Sequence, residues 1–195
     1  MSIIQNFPFF TIILCLLCAV TTFVAGDRWG RRLTIGLLCV SIVLQSCVLW
    51  FCASSNTSYS YMMGHFPAPW GNEIAAGVIE PLMALLFSVV MLLSVLGGMD
   101  HILKDIADKR RHLYWSMVDL TLVSLLALSY TNDIFTGYVF IEICTIASCA
   151  LLSARDNGRS LIASARYMVF ALVGSGLFLI LSLIHISEPT RHLRI

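Results

Sequence analysis

Six long apolar runs constrain this chain more than any other feature of its sequence. Each is about 18 to 25 residues long, the length that a helix rising 1.5 Å per residue needs to cross about 30 Å of hydrocarbon. The chain is 58% hydrophobic and 12% charged, against about 45–50% and about 25% in soluble domains. We therefore predict an all-α, polytopic membrane helix bundle. Its six predicted spans are residues 3–25, 33–52, 74–98, 113–130, 134–153 and 161 to about 184.

The connections between the predicted spans alternate in charge. The first, third and fifth connections ("GDRWGRR", "MDHILKDIADKRRH" and "ARDNGRS") carry Lys and Arg, whereas the second and fourth ("ASSNTSYSYMMGHFPAPWGNE" and "TND") carry neither. Cytoplasmic connections of membrane proteins are enriched in Lys and Arg, so we predict that the odd-numbered connections face the cytoplasm and the N-terminus faces outward. The first run lacks a basic leader and is too long for a signal peptide, which predicts a retained first span.

The long second connection is rich in aromatic residues, Pro and Gly. Its segment "GHFPAPWGN" predicts an ordered turn structure at the outer interface, with Tyr61 and Trp70 as interfacial aromatic residues. We interpret His65, His101 and His112 as interfacial residues as well.

Composition and cysteine spacing argue against several classes of function. A net charge of +1 offers no basic surface for nucleic acid. The seven cysteines are interpreted as small packing residues, because nearly all of them fall inside apolar runs. Cys15 and Cys18 form a C-x-x-C pair, but no second pair completes a metal site. The sequence has no catalytic fingerprint of a soluble enzyme, so we predict a non-enzymatic protein that holds no cofactor and no metal.

One carboxylate lies near the centre of the fifth predicted span, in "GYVFIEICTIASCALL". A charge near the bilayer midplane costs about 2.5–3.5 kcal/mol on insertion scales, and intramembrane acids usually mark functional sites. Four polar or small residues follow one another at helical spacing and share one face, which we expect to contact protein or water. These four are Tyr138, Glu142, Thr145 and Cys149.

We interpret Glu142 as a proton carrier that is tuned by burial and by a nearby cation. The alternative is a permanently neutral, hydrogen-bonded structural residue. No Lys lies in any of the six predicted spans, so another helix or another subunit would have to supply a cationic partner.

Asp119 and Arg166 lie at similar predicted depths. Asp119 is about six residues into the fourth span and Arg166 about five into the sixth, which places both roughly 7–10 Å deep at 1.5 Å per residue. Matched depth gives the hypothesis of an ion pair between them. The alternative is two side chains that reach separately to the cytoplasmic interface.

Two further acids lie near the outer ends of spans. Glu80, followed by Pro81, is predicted a turn or two inside the third span, either as an outer relay or ion site or as a carboxylate that reaches water at a kinked helix end. Asp133, in "YTNDIF", is predicted to cap the fifth helix by accepting backbone N–H groups, in preference to a role in ion entry.

The end of the chain has an unusual sequence. From residue 181 it reads "LSLIHISEPTR", which is similar to the translation of a transposase-adapter sequence used in sequencing libraries. We therefore expect residues 1–180 to form the native membrane domain and residues 181–195 to be a non-native tail; the alternative is a genuine polar tail. His185, Glu188 and His192 are accordingly excluded as site candidates.

Three segments carry a resemblance to a known family. They are "GHFPAPWGNEI", "SLLALSYTNDIFTGYVFIEICTIASCALL" and "ARYMVFALVGSGLFLI". Together they resemble the antiporter-like membrane subunits of Mrp-type cation/proton antiporters, respiratory complex I and membrane-bound hydrogenases, and most of all the D-type subunit of the Mrp antiporters. The resemblance implies that Glu142 occupies the position of the family's proton-pathway glutamate. Asp119, in "MVDL", stands where a neutral residue is expected, and Glu80 matches the family only loosely.

Family members are much longer than this chain. The resemblance implies two inverted five-helix repeats with broken helices and a buried lysine that partners the glutamate. We expect this chain to be the N-terminal six-span part of such a protein, so that the lysine and the second repeat lie outside it.

The resemblance implies a proton-translocating subunit of a multisubunit Na⁺/proton antiporter in the plasma membrane of a prokaryote. Its partners would be other membrane subunits, protons, Na⁺ and the lipid bilayer. One alternative is a proton-pumping subunit of a complex I-like or hydrogenase electron-transfer complex, in which partner subunits hold the redox centres. The other alternative is a membrane scaffold that transports nothing.

Overall fold

The fold is a bundle of long helices with a small β-hairpin at one end. The structure, a computed structural model, describes residues 3–55, 58–62, 73–155 and 157–187. Within these ranges, six helices are long and apolar enough to cross a membrane, which confirms the predicted polytopic bundle. In chain order the elements are α1 (Phe7–Ala25), α2 (Asp27–Ser55), β1 (Tyr59–Met62), β2 (Glu73–Ala76), α3 (Ile79–Asp105), α4 (Asp108–Tyr130), α5 (Ile134–Ser153) and α6 (Gly158–Ser187).

Helix α4 forms the centre of the bundle. It contacts α1, α2, α3 and α5, whereas α6 packs mainly on α5. In the most apolar 18-residue stretch of α4, 56% of the residues are buried, whereas in that of α6 only 6% are buried. Large apolar side chains on the peripheral helices therefore lie on the lateral surface of the bundle, as expected for a surface in contact with hydrocarbon.

Helices α1 and α2 are joined by a single residue. Gly26 has φ 77°, a left-handed conformation that glycine adopts without steric cost. Helix α2 starts directly afterwards at Asp27, whose carboxylate is favoured at a helix N-terminus. The predicted connection over residues 26–32 is therefore wrong, because its charged residues form the first turns of α2.

The third connection is also shorter than predicted. Residues 99–112 were expected to be a loop, but α3 continues to Asp105 and α4 begins at Asp108. The side chain of Arg111 on α4 donates to Leu103 O and, at 3.0 Å, to Ile106 O, so it satisfies carbonyl groups at the end of α3. Charged residues at the ends of spans are thus helical here.

The second connection forms an antiparallel β-hairpin in its described part. Tyr59 pairs with Ala76 and Met62 with Glu73, whereas the segment predicted to form an ordered turn, residues 64–72, lies outside the described residues. Residues 63–72, with His65 and Trp70, and the side chain of Tyr61 lie outside the described residues. The third span begins at Ile79 and not at residue 74, because residues 73–76 alternate in burial as a strand does.

The hairpin packs onto the C-terminal end of α4. Asn132 N donates to Glu73 O at 2.9 Å, and Ile74 bridges to Thr131. Burial raises the pKa of the Tyr59 phenol to about 12, with a smaller contribution from Cys52. The hairpin is thus attached to the helix bundle through its second strand and through Tyr59.

Candidate functional site

Glu142 lies on the face of α5 that packs against α6. It is the ninth of the 20 residues of α5 and is half-buried. Ser175 of α6 donates a close hydrogen bond to Glu142 Oε1, and its Oγ also lies 3.2 Å from Leu172 O. The one hydrogen of Ser175 is shared between these two acceptors or goes to one of them.

The rest of the predicted stripe also faces protein. Thr145 and Cys149 are both 6% exposed, and Tyr138 is half-buried. Cys149 contacts α6 as well, because Ser164 Oγ donates to Cys149 O at 2.8 Å. The Thr145 hydroxyl donates within its own helix, to Ile141 O. The expectation that this stripe contacts protein is confirmed, although hydrogen bonds to α6 come only from Glu142 and Cys149.

An open cavity of about 270 Å³ leads from the outer end of the bundle toward Glu142. Asn132 and Asp133 line its mouth, and Ile141 and Phe178 line its inner part. Ile141 precedes Glu142, and Phe178 lies three residues after Ser175, so the cavity ends within about one helical turn of their contact. Neither Glu142 nor Ser175 lines this cavity.

No cation contacts Glu142 in the described part of the chain. Arg166 is on the same helix as Ser175 but nine residues earlier, about 13.5 Å along the axis at 1.5 Å per residue. Sequence reasoning missed Ser175. The signal for it was a hydroxyl between two glycines, in "VGSGLF", near the middle of a span.

The predicted ion pair between Asp119 and Arg166 is wrong. Asp119 faces α1 and α2, where it is 0% exposed and accepts from Thr22 Oγ1 at 3.0 Å. Arg166 is exposed on α6. The alternative, in which both side chains reach the interface, is wrong for Asp119. Depth along a helix does not fix the direction in which a side chain points: Asp119 points into the bundle, whereas Arg166 points away from it.

A group of charged and aromatic residues covers the end of the bundle nearest Asp119. Trp115 Nε1 donates to Asp27 Oδ1 at 3.0 Å, and Arg111 lies 3.8 Å from the same carboxylate. Trp115 is one helical turn from Asp119 and fully buried. The first turn of α2 is thereby tied to α4.

The two remaining acids accept backbone N–H groups near helix starts, and Asp133 is a helix cap. The Asp133 carboxylate accepts from Thr136 N at 2.9 Å and from Thr136 Oγ1 at 2.7 Å, which confirms the predicted cap of α5. Glu80 accepts from Gly77 N at 2.6 Å. Because α3 begins at Ile79, Glu80 and Pro81 lie in its first turn, where Pro is tolerated. The predicted position a turn or two inside the helix, at a kink, is wrong.

Together the fold and the buried acids define a multi-pass membrane protein with carboxyl groups inside its helix bundle. No family model matches the chain. It is 33% identical over 119 residues to the D subunit of the Na(+)/H(+) antiporter of Bacillus subtilis, covering 60% of this chain and 23% of that protein. It is 29% identical over 124 residues to NADH-quinone oxidoreductase subunit N of Desulforudis audaxviator, covering 63% and 24%.

A solved structure gives the same fold. A chain in the structure of the Mrp complex from Dietzia sp. DQ12-45-1b superposes with a TM-score of 0.78 at 18% identity, over 92% of this chain and 34% of that one. The predicted resemblance to antiporter-like membrane subunits is confirmed. These relatives support an antiporter-like membrane subunit of an Mrp or complex I-like assembly, and the chain spans between about a quarter and a third of their length.

Proposed function

We propose that this chain is part of the proton-translocating subunit of a multisubunit Na⁺/proton antiporter, with Glu142 as its proton carrier. The observation that carries this proposal is the close contact of Glu142 with Ser175 between α5 and α6. We assign residues 1–180 to the native membrane domain and residues 181–195 to a non-native tail, into which α6 continues as a helix as far as Ser187. The membrane is the plasma membrane of a prokaryote.

Protonation of Glu142 accounts for both contacts of Ser175. The neutral carboxyl donates to Ser175 Oγ, and Ser175 donates to Leu172 O. When the proton leaves, Ser175 turns its hydrogen to the carboxylate and releases the carbonyl. The same two residues thus accommodate the loaded and the unloaded acid without a change of backbone.

Release of the proton needs a positive charge, because an ionised carboxylate inside the bilayer is costly without one. Helix α6 is little covered by the rest of the bundle. A further helix or a second subunit that packs on this side of the bundle could bring a cation to Glu142. Approach of that cation stabilises the ionised form and drives the proton onward, which is a local electrostatic switch. We propose that the cavity beside Asp133 marks the side from which the proton reaches Glu142.

Substitution of Glu142 tests this assignment in the assembled complex. In everted membrane vesicles, we expect Glu142→Gln to abolish the Na⁺-dependent collapse of a pH gradient, followed with acridine orange. Glu142→Asp should retain part of the activity because it keeps the carboxyl group. Asp100→Asn is the matched control, because Asp100 is an exposed acid on α3. Full activity in Glu142→Gln would mean that the chain is a scaffold or that another group carries the proton.

A second candidate is a proton-pumping subunit of an electron-transfer complex. The similarity to subunit N of an NADH-quinone oxidoreductase favours it. Both candidates use Glu142 in the same way and differ in what drives the proton. A proton flux that follows an added electron donor and ignores an imposed Na⁺ gradient would identify the second candidate, and the reverse dependence the first.

A further inference from the structure

A second buried acid lies far from the α5–α6 site, where α1, α2 and α4 meet. Asp119 of α4, Thr22 of α1 and Thr34 of α2 are each 0% exposed. Thr22 lies one turn before the end of α1 and Thr34 two turns into α2, and both lie beside the Asp119 carboxyl. Asp119 closes the third side of this pocket.

The hydrogen bonds of this pocket are incomplete without one more proton. Thr22 Oγ1 lies 3.0 Å from Asp119 Oδ2 and 3.1 Å from Ala19 O, yet it has a single hydrogen to donate. Thr34 lies beside the carboxyl, but neither its Oγ1 nor Asp119 Oδ1 makes a hydrogen bond of good geometry. The remaining donors to an ionised Asp119 are Thr22 and the Cys18 thiol, which is a weak donor. A buried charge with so few strong donors is costly.

A proton on Asp119 Oδ2 gives every hydrogen of the Asp119–Thr22–Ala19 chain one acceptor. The carboxyl then donates to Thr22 Oγ1, Thr22 donates to Ala19 O, and Oδ1 stays free to accept from Thr34. We propose that Asp119 is a second, reversible proton-binding site, built by α1, α2 and α4 and independent of Glu142. No lysine or arginine is among the groups that act on it in the described part of the chain.

The Asp119 pocket repeats the arrangement at Glu142. In both places a carboxyl oxygen meets a hydroxyl that also reaches the carbonyl oxygen three residues earlier on its own helix. The pairs are Thr22 with Ala19 and Ser175 with Leu172. The two sites share no helix, and we expect each to bind its proton independently of the other.

Exchange of this proton is expected at the end of the bundle that carries Asp27 and Arg111. Trp115 lies one turn from Asp119 in that direction and covers the pocket, and Ser116 Oγ donates to Ala19 O at 2.7 Å. Other titratable groups that face Asp119 are Cys15 and Cys18 of α1. On α2 the facing group is Thr34, and no ionisable group of α3 or α5 acts on the carboxyl among the described residues.

Infrared difference spectroscopy on the full chain in lipid nanodiscs tests this proposal. Labelling with ¹³C-aspartate separates the C=O band of a protonated aspartic acid from that of Glu142. We expect one labelled band at neutral pH that disappears on alkaline titration and returns when the pH is lowered. The band should be lost in Asp119→Asn and kept in Asp100→Asn and Glu142→Gln.

A second variant keeps the test decisive if Asp119→Asn fails to fold. Thr22→Val removes the hydroxyl, so we expect the labelled band to move to a higher frequency, whereas Thr22→Ser should leave it in place. Absence of a protonated aspartate band at neutral pH would overturn the proposal. So would a band that does not respond to alkaline titration, because Asp119 would then be a permanently neutral structural residue.

Discussion

At the scale of single residues, Asp119 and Glu142 each contact the hydroxyl of a residue on a neighbouring helix. Each hydroxyl has a second acceptor, a carbonyl oxygen of the helix on which the hydroxyl lies. A serine or threonine hydroxyl can accept from a neutral carboxyl or donate to a charged one, since it carries one hydrogen and two lone pairs. The carbonyl three residues earlier takes the hydrogen in the first case. The hydroxyl thus supports both protonation states of the acid, which an apolar neighbour could not do.

Ser175 is therefore expected to affect transport through Glu142. Ser175→Ala removes the hydrogen-bond partner of Glu142, and leaving a buried polar group unpaired costs about 1–3 kcal/mol. We expect proton flux by the assembled complex to fall roughly 5- to 100-fold, since 1.4 kcal/mol corresponds to a factor of ten. Initial rates of pH-gradient collapse in vesicles measure this effect.

Two variants on α6 separate this role from simple packing. Ser175→Thr keeps the hydroxyl and should retain most of the flux. Ser164→Ala removes another hydroxyl from the same helix interface, one that donates to Cys149 O, and should leave the flux near that of the unmodified complex. Equal losses in Ser164→Ala and Ser175→Ala would mean that only α5–α6 packing had been disturbed.

The sequence predicted the position of Glu142 well and its neighbours poorly. Helical spacing places Glu142 with Thr145 and Cys149 on one face, and that face is where α6 packs. The identity of Ser175 as its partner depends on how α6 is rotated and shifted against α5, which no local pattern encodes. Asp119 was misplaced for the same reason, since depth along α4 says nothing about which neighbouring helix it faces.

At the scale of helices and strands, the ends of the elements carry most of the polar contacts. The predicted bounds of α5 agree with the structure, because "TND" before it and "AR" after it give clear breaks. The bounds of α2 and α4 were too short, since charged residues at their first turns were taken for loops. Strand β2 was assigned to a helix, because its four residues include the apolar Ile74 and Ala76.

Asp133 gives a direct test of a helix end. Asp133→Ala removes the side chain that accepts from Thr136, and loss of such a cap costs about 0.5–2 kcal/mol. We expect the midpoint of thermal unfolding, measured by circular dichroism in detergent, to fall accordingly. Asp133→Asn keeps a capping oxygen and should restore most of the stability.

The same pair of variants separates the cap from a role in ion entry. If Asp133 acts only as a cap, Asp133→Asn should transport at the rate of the unmodified complex. Loss of transport in a stable Asp133→Asn variant would show that the negative charge at the mouth of the cavity is needed.

At the scale of the whole molecule, one cationic side chain joins three helices. Arg111 of α4 donates to two carbonyl groups at the end of α3 and lies 3.8 Å from Asp27 at the start of α2. Its side chain is 17% exposed, so solvent screens these contacts only partly. The arginines of the odd-numbered connections thus have unequal roles, and Arg111 fixes helix ends in addition to its part in the predicted topology.

Arg111→Ala should lower the stability of the whole bundle. Two carbonyl groups of α3 lose their donor, and unpaired polar groups of this kind cost on the order of 2 kcal/mol. Arg111→Lys should rescue little, because an ammonium group lacks the planar fork that reaches several acceptors. Lys109→Ala is the matched control, since Lys109 is an exposed cation in the first turn of α4, close to Arg111. Thermal unfolding in nanodiscs compares the three variants. An unfolding midpoint of Arg111→Ala equal to that of the unmodified protein would contradict the proposed role.

The pocket of Asp119 also has a consequence for biogenesis. Thr22 and Asp119 are 97 residues apart in the chain, and a ribosome adding about 5–20 residues per second needs roughly 5–20 s to pass from one to the other. During that delay the nascent hairpin of α1 and α2 has no fourth helix to cover its inward-facing hydroxyls. The insertion machinery or a membrane chaperone must bind this surface until α4 is inserted. Quality-control factors can therefore recognise the nascent chain during this interval of translation.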